Sequence, residues 1–237
     1  MSNSQTESLP APVLVTTPEQ LHQCIKQLKS SDVVALDTEF MRTDTFFPIL
    51  GLIQVYNGQV CWLIDPVAIE DLSPFVEILT APEIVKVFHS CSEDLEVLKH
   101  VLDCVPQPLF DTQIAAALTG YGFSKGYAGL VEVMLGVHVE KGETRSDWLQ
   151  RPLRESQLGY AASDVLHLLP VYRQLCENLD QLQRAEWMLY ANGDVERATA
   201  ADEGLARALV RAAKPRTYPD GSPRISLLQE MLGELMP

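Results

Sequence analysis

The sequence predicts an α/β fold: a mixed β-sheet flanked by α-helices, followed by a mainly helical C-terminal tail. Three observations carry that prediction. Val33-Val34-Ala35-Leu36 is a short apolar run rich in β-branched residues, the mark of a buried strand. Two further strand-like runs, Leu50 to Tyr56 and Val60 to Asp65, are separated by Asn57-Gly58, a strong hairpin signal. Beyond them a buried strand at Ile84 to Phe88 lies between two helix signals, so helices and strands alternate.

Each element has its own local reason. Thr17-Pro18-Glu19-Gln20 reads as a helix start, with Thr17 as N-cap, Pro18 at the first helical position and Gln20 closing a capping box. That helix is expected to end near Leu28. The strand over 33–40 follows and ends in Asp37-Thr38-Glu39-Phe40. Asp71-Leu72-Ser73-Pro74 starts a helix reaching about Leu79. After the 84–88 strand, His89-Ser90-Cys91-Ser92-Glu93-Asp94 turns into a helix with Ser90 or Ser92 as the expected N-cap. An apolar helix is expected near 113–118, broken by Gly120-Tyr121-Gly122. Those glycines lack a following Lys-Ser/Thr and do not follow a strand, so they are not a phosphate loop. Tyr127 to Leu135 predicts another helix, stopped by Gly136. The polar segment 137–148 is a long loop, and Lys141, Arg145, Arg151 and Arg154 form the densest basic patch of the domain. That patch reads either as a phosphate contact or as a solvated face. A helix is then expected from Arg151-Pro152-Leu153 through Leu169. Past Asp180, helices are expected over 181–190, 198–213 and 225–235, with a proline-containing loop over 214–224.

Composition restricts the function classes. The 237 residues are 46% hydrophobic, enough for a sizeable core. Five scattered cysteines (Cys24, Cys61, Cys91, Cys104 and Cys176) include no C-x-x-C pair and predict reduced thiols. The start of the chain lacks the pattern of a signal peptide, and no apolar run is long enough to span a membrane. A cytoplasmic protein with no membrane partner and a disordered stretch over 1–14 is expected. The net charge of −14 argues against a module that grips nucleic acid by phosphates alone, but not against an enzyme whose cations bring the positive charge. Residues 1–180 hold 24 acidic and 11 basic side chains, against 8 and 7 in 181–237, so the acidity belongs to the main domain.

Candidate chemistry begins with Asp37 and Glu39. Strand side chains repeat with period 2, so both leave the same face. Two adjacent anions ask for a compensating cation, and all-oxygen donors favour Mg²⁺ or Mn²⁺. Asp94 falls in the first turn of a helix at the carboxyl end of a strand, where open α/β sheets place ligands; complementing the helix dipole explains it as well. Tyr160 and Asp164 are spaced i, i+4 and share a helix face, although a core tyrosine beside a solvent-facing aspartate fits that spacing too. Taken together, four carboxylates and a tyrosine converging at one sheet edge match two-metal phosphodiester hydrolysis, with cations about 3.5–4 Å apart.

Asp37-Thr38-Glu39-Phe40, His89-x-x-x-x-Asp94 and Tyr160-x-x-x-Asp164 resemble the three motifs of the DEDD exonuclease superfamily in its tyrosine-bearing branch. The segments LDTEFMR, FPILGLIQ, LIDP, FHSCSEDLEVL, FDTQIAA, ETRSDWLQRPL and YAASDVLHLLPVY resemble bacterial ribonuclease D. The resemblance covers about Thr16 to Leu179. It implies a ribonuclease H-like fold, two divalent cations and 3′-to-5′ release of nucleoside monophosphates from RNA, with tRNA precursors or other small structured RNA as partners. It further implies that Asp37, Glu39, Asp94 and Asp164 are metal ligands and that Tyr160 orients the attacking water. Phe40 and Met41 would hold the terminal nucleotide. His89 reads either as a phosphate or ribose contact or as a hydrogen-bonded core histidine. Gln54 reads as structural. The exonuclease domain is thus expected over 15–180, in a monomer. Residues 181–237 form a helical or irregular extension that does not resemble the helical HRDC domains usual in that family.

Two rival functions stay open at the level of sequence. A 3′-to-5′ DNA exonuclease shares the carboxylates and differs in how it treats the 2′-hydroxyl. A non-catalytic RNA-binding protein on a nuclease fold has the intact five-residue set and the negative charge against it. A phosphatase with an aspartate nucleophile would need a strand-loop pattern not found here.

Overall fold

The computed structural model describes residues 11–42, 45, 47–140, 142–143 and 146–185, together with two short strands nearer the C-terminus. A six-stranded mixed sheet lies at its centre. Its strands are β1 (Val13–Val15), β2 (Val33–Met41), β3 (Ile49–Tyr56), β4 (Cys61–Ile64), β5 (Val85–Phe88) and β6 (Leu109–Asp111), in spatial order β1-β4-β3-β2-β5-β6. β3 runs antiparallel to β2 and β4, and the other neighbouring pairs are parallel. The β3–β4 hairpin forms at Asn57-Gly58, where Gly58 takes φ +93° and the Asn57 side chain accepts from the Gln59 and Val60 N–H groups, each at 3.0 Å. The helices are α1 (Pro18–Leu28), α2 (Val76–Thr80, preceded by a 3₁₀ turn at Ser73–Phe75), α3 (Ser92–Leu102), α4 (Thr112–Leu118), α5 (Tyr127–Leu135), α6 (Glu155–Leu166) and α7 (Leu168–Gln181). Farther along, β7 (Arg216–Thr217) pairs antiparallel with β8 (Pro223–Arg224) inside the segment expected to be a loop. The helices expected over 198–213 and 225–235 lie outside the described residues. Among the described residues, no helix is long and apolar enough to cross a membrane, and the five cysteines are unpaired.

The sheet separates two cores, and strand alternation decides what each receives. Val34 and Leu36 of β2, with Ile53 and Val55 of β3, join Leu21, Leu28, Phe75, Leu95 and Leu98 from α1, the 3₁₀ turn and α3. Ala35, Leu52 and Leu63 instead meet Leu130, Val165, Leu169 and Leu175 from α5, α6 and α7. Asp37 and Glu39 continue the Ala35 face, so the pleat that buries Ala35 also turns both carboxylates toward the α6 side.

Several elements depart from expectation. Val13 and Leu14, inside the stretch expected to be disordered, belong to β1, which pairs parallel with β4. β6 is a strand that the sequence reading missed, because three residues ending in aspartate carry little pattern of their own. Neither Ser90 nor Ser92 caps α3. The cap residue is Cys91, and the Asp111 carboxylate reaches across from β6 to accept from the Ser90 (2.9 Å) and Cys91 (3.1 Å) N–H groups. The helix expected from Arg151 begins only at Glu155, after an extended Arg154 whose N–H is accepted by the Gln157 side chain at 3.1 Å. It also breaks at His167 rather than running through Leu169. Pro170 has no N–H to offer the Leu166 carbonyl, so the helix cannot continue through it. The chain restarts as α7 with Pro170 in the first turn, where a missing N–H costs nothing. α7 ends at Gln181, followed by a turn at Leu182-Gln183, and residues 186–190 of the helix expected over 181–190 lie outside the described residues.

Candidate active site

β2 and α6 meet where the carboxylates collect. One oxygen each from Asp37, Glu39 and Asp164 lies within 4.8 Å of the others. Asp164 is delivered by α6, which crosses β2, β3 and β4, and the Tyr160 hydroxyl one turn earlier hydrogen-bonds the Asp164 carboxylate. Asp94 approaches differently. Thr38 points to the opposite face from Asp37 and Glu39, and there the Asp94 carboxylate accepts from the Thr38 N–H (3.1 Å) and hydroxyl (2.5 Å). Asp94 is therefore fastened to the strand that carries the other two acids, just outside the tight group of three.

The electrostatics follow from this crowding. Burial, then the charges of Asp94, Asp164 and Glu39, hold the Asp37 carboxyl well above the usual carboxylate range. Burial raises Glu39 to about 9, with Asp164 and Asp94 adding to the effect. Burial likewise raises Asp94 and Asp164 to about 7, opposed at Asp94 by the Thr38 bonds and at Asp164 by the Tyr160 hydroxyl. Such a group is costly without positive charge and becomes favourable once a cation is shared among it. The donors are all hard oxygens, as Mg²⁺ and Mn²⁺ require, so the residues present fit divalent cations.

Of the expected substrate contacts, Met41 packs with the α6-side core, sharing the carboxylates' side, while Phe40 packs with the other core beneath the Arg42 guanidinium, 5.9 Å from its ring centre. His89 is tied through Nδ1 to the Thr112 hydroxyl at 2.9 Å. That hydroxyl donates onward to the Phe88 carbonyl, so Nδ1 carries the hydrogen. Two members of the expected basic patch, Arg151 and Arg154, are described. The Arg151 guanidinium grips Asp65 through Nε and Nη2, both at 2.6 Å, and donates to the Gly51, Trp148 and Gln150 carbonyls. Arg154 pairs with Glu143 at 2.7 Å, and Lys141 and Arg145 lie outside the described residues. The two described arginines are thus committed to internal partners.

Sequence reasoning missed three supports of this site. Thr38 anchors Asp94, and period-2 alternation could have placed it opposite Asp37. Trp148 is buried with its ring centre 6.3 Å from that of Tyr160. Gly51 accommodates it: a Cβ at that position would lie 2.7 Å from the Trp148 carbonyl oxygen. Tyr127 donates to the Ser163 carbonyl at 2.6 Å and accepts from the His167 N–H, bridging the break between α6 and α7 beside Asp164. No local spacing signals either aromatic contact.

Residues 12–180 match the 3′-5′ exonuclease family. Ribonuclease D of Shewanella sp. (strain ANA-3) is 51% identical over 180 residues, covering 76% of this chain and 46% of that protein. The crystal structure of Escherichia coli RNase D, an exoribonuclease involved in structured RNA processing, superposes with a TM-score of 0.72 at 41% identity, covering 87% of this chain and 52% of that one. NrnC of Brucella melitensis bound to pGG superposes with a TM-score of 0.63 at 31% identity, covering 71% of this chain and 84% of that one. The chain spans about half the length of the ribonuclease D relatives it matches.

Proposed function

Because this chain belongs to the 3′-5′ exonuclease family, we propose that it is a divalent-metal-dependent exoribonuclease releasing nucleoside 5′-monophosphates from RNA 3′ ends, in the processing of tRNA or other stable RNA. The observation that carries the proposal is the convergence of Asp37, Glu39 and Asp164 oxygens within 4.8 Å, with the Tyr160 hydroxyl on the third of them. Asp37, Glu39, Asp94 and Asp164 are the proposed ligands of two Mg²⁺ or Mn²⁺ ions. When bound, such cations supply the charge that activates a water and stabilises the attacking and leaving oxygens of an in-line displacement. The chain's own work is to hold and orient. Thr38 keeps one Asp94 oxygen engaged and so limits how that carboxylate can turn. Tyr160, hydrogen-bonded to Asp164, orients the attacking water and takes part in passing its proton away. Met41 borders the terminal nucleotide from the carboxylates' side and Phe40 through its backbone, and His89, with its Nδ1–H committed to Thr112, leaves the Nε2 lone pair as an acceptor for a ribose hydroxyl. An RNA 3′ end as partner, a monomeric enzyme and a cytoplasmic setting belong to the same proposal.

A 5′-labelled single-stranded RNA incubated with Mg²⁺ or Mn²⁺ tests it, beside EDTA, a DNA oligomer of the same sequence and the variants Asp37→Ala, Glu39→Ala, Asp94→Ala and Asp164→Ala. The expected outcome is a ladder shortening from the 3′ end, absent with EDTA and in all four variants. RNA left intact by the wild type while the DNA shortens would replace the proposal with a DNA exonuclease. A second reading, favoured by the 84% coverage of the pGG-bound NrnC structure, is that the substrate is a very short oligoribonucleotide. Comparing kcat/KM for a dinucleotide and a 20-mer distinguishes the two.

A further inference from the structure

Gln54 sits on β3 directly opposite Asp37 of β2. Directly opposed residues of an antiparallel pair share one face, with Cβ atoms about 4.5–5.5 Å apart. Gln54 is fully buried at 0% exposure, and among the described residues no group hydrogen-bonds either its Nε2 or its Oε1. Buried amides almost always find partners, so an amide with neither end satisfied calls for a reason. Its surroundings narrow that reason. Leu52 precedes it on the same face of β3, and Leu63 lies opposite it on β4, so neither can accept or donate a bond. The polar side chain directly opposite it is Asp37.

We propose that Gln54 is a positioning residue for Asp37: in the cation-loaded site its Nε2–H donates to the Asp37 carboxylate and fixes which oxygen faces the cation. The inference rests on the metal-site reading above. Ligating carboxylates are commonly held by such outer bonds, and losing one weakens metal affinity about 10- to 100-fold. The strand pairing makes Gln54 suited to the task. Its backbone is locked in the central part of the sheet, so its side chain reaches Asp37 without ordering any further segment.

Mn²⁺ binding to the full chain, measured by titration calorimetry without RNA, tests the proposal on Gln54→Met and Gln54→Leu, with melting followed in EDTA. Wild type is expected to bind Mn²⁺, and both variants about 10-fold more weakly. In EDTA the variants are expected to melt at or above the wild-type temperature, because an apolar side chain replaces an amide with no partner. Their kcat is expected to fall at low Mn²⁺ and recover at high Mn²⁺ with the KM for RNA unchanged. Gln54→Asn keeps the polarity and shortens the reach, and is expected to lose affinity as well, which covers the case of a poorly folding apolar variant. Unchanged Mn²⁺ affinity in the variants, or a lower melting temperature in EDTA with affinity intact, would overturn the role and leave the exonuclease reading standing. Absence of Mn²⁺ binding by wild type would overturn the metal site itself.

Discussion

Arg151 distinguishes a phosphate contact from an internal clamp, and Arg151→Ala decides between them. Its guanidinium makes two 2.6 Å bonds to an Asp65 carboxylate whose side chain is only 3% exposed, and it donates to the Gly51 and Trp148 carbonyls at 2.7 and 2.8 Å. Removing one partner of a buried pair typically costs about 3–5 kcal/mol, because the other charge is left buried. Two features favour the lower end. Arg151 is itself about a quarter exposed, and Asp65 keeps the Val67 and Ala68 N–H donors at 2.9 and 3.2 Å. A loss of about 3 kcal/mol is therefore expected, or roughly 6–12 °C in Tm for a domain of this size. Arg151→Lys should lose about half as much, since one ammonium cannot satisfy a bidentate carboxylate and two carbonyls together. Paired Arg151→Met and Asp65→Asn should recover part of the loss. Urea unfolding in fixed Mg²⁺ gives the energies, and the salt dependence of the KM for RNA gives the second readout. An internal clamp leaves the salt slope unchanged, whereas losing a phosphate contact to a single strand reduces it by about 0.7. A Tm within a degree of wild type together with a reduced salt slope would refute the clamp.

Other perturbations probe the site directly. Thr38→Val removes the 2.5 Å hydroxyl bond to Asp94 while keeping the backbone N–H bond; kcat is expected to fall by about tenfold, the equivalent of roughly 1.5 kcal/mol for a charge-assisted bond, as single-turnover kinetics will show. Tyr127→Phe deletes the 2.6 Å bond to the Ser163 carbonyl next to Asp164 and should reduce kcat with little change in the KM for RNA. An unaltered kcat would remove Tyr127 from the support of α6. For pH, the raised carboxyls Asp94 and Asp164 (about 7) and Glu39 (about 9) give the metal-free folded chain more protons than the unfolded chain from about pH 4 upward. Their contribution is therefore fully present below their unfolded values and is lost as pH rises through about 7 and then 9. Melting in EDTA should move to lower temperature between pH 5 and 8.5, and saturating Mg²⁺ should flatten the trend. A melting temperature that rises with pH in EDTA would contradict this account.

The sequence by itself determined the features that depend on a few neighbouring residues. The Thr17 capping box forms as expected, with the Gln20 side chain 3.1 Å from the Thr17 N–H, the hairpin turns at Asn57-Gly58, and α5 stops at a left-handed Gly136 with φ +67°. Period 2 placed Asp37 and Glu39 on one face, and the i, i+4 spacing placed Tyr160 beside Asp164, because both repeats are properties of backbone geometry alone. Only the tertiary structure decided what those residues face. The three-residue β6 becomes a strand by pairing with β5, and its last residue, Asp111, satisfies the start of α3 from across the sheet. Arg151 finds Asp65 across 86 residues of sequence, so an arginine that reads either as a phosphate contact or as part of a solvated face becomes an internal clamp. Asp94 meets Thr38 across 56 residues, and Gln54 is isolated opposite Asp37 only after β2 and β3 have paired. Hydrogen bonds and ion pairs at such separations depend on how whole elements dock, and docking is set by the two cores together rather than by any local spacing.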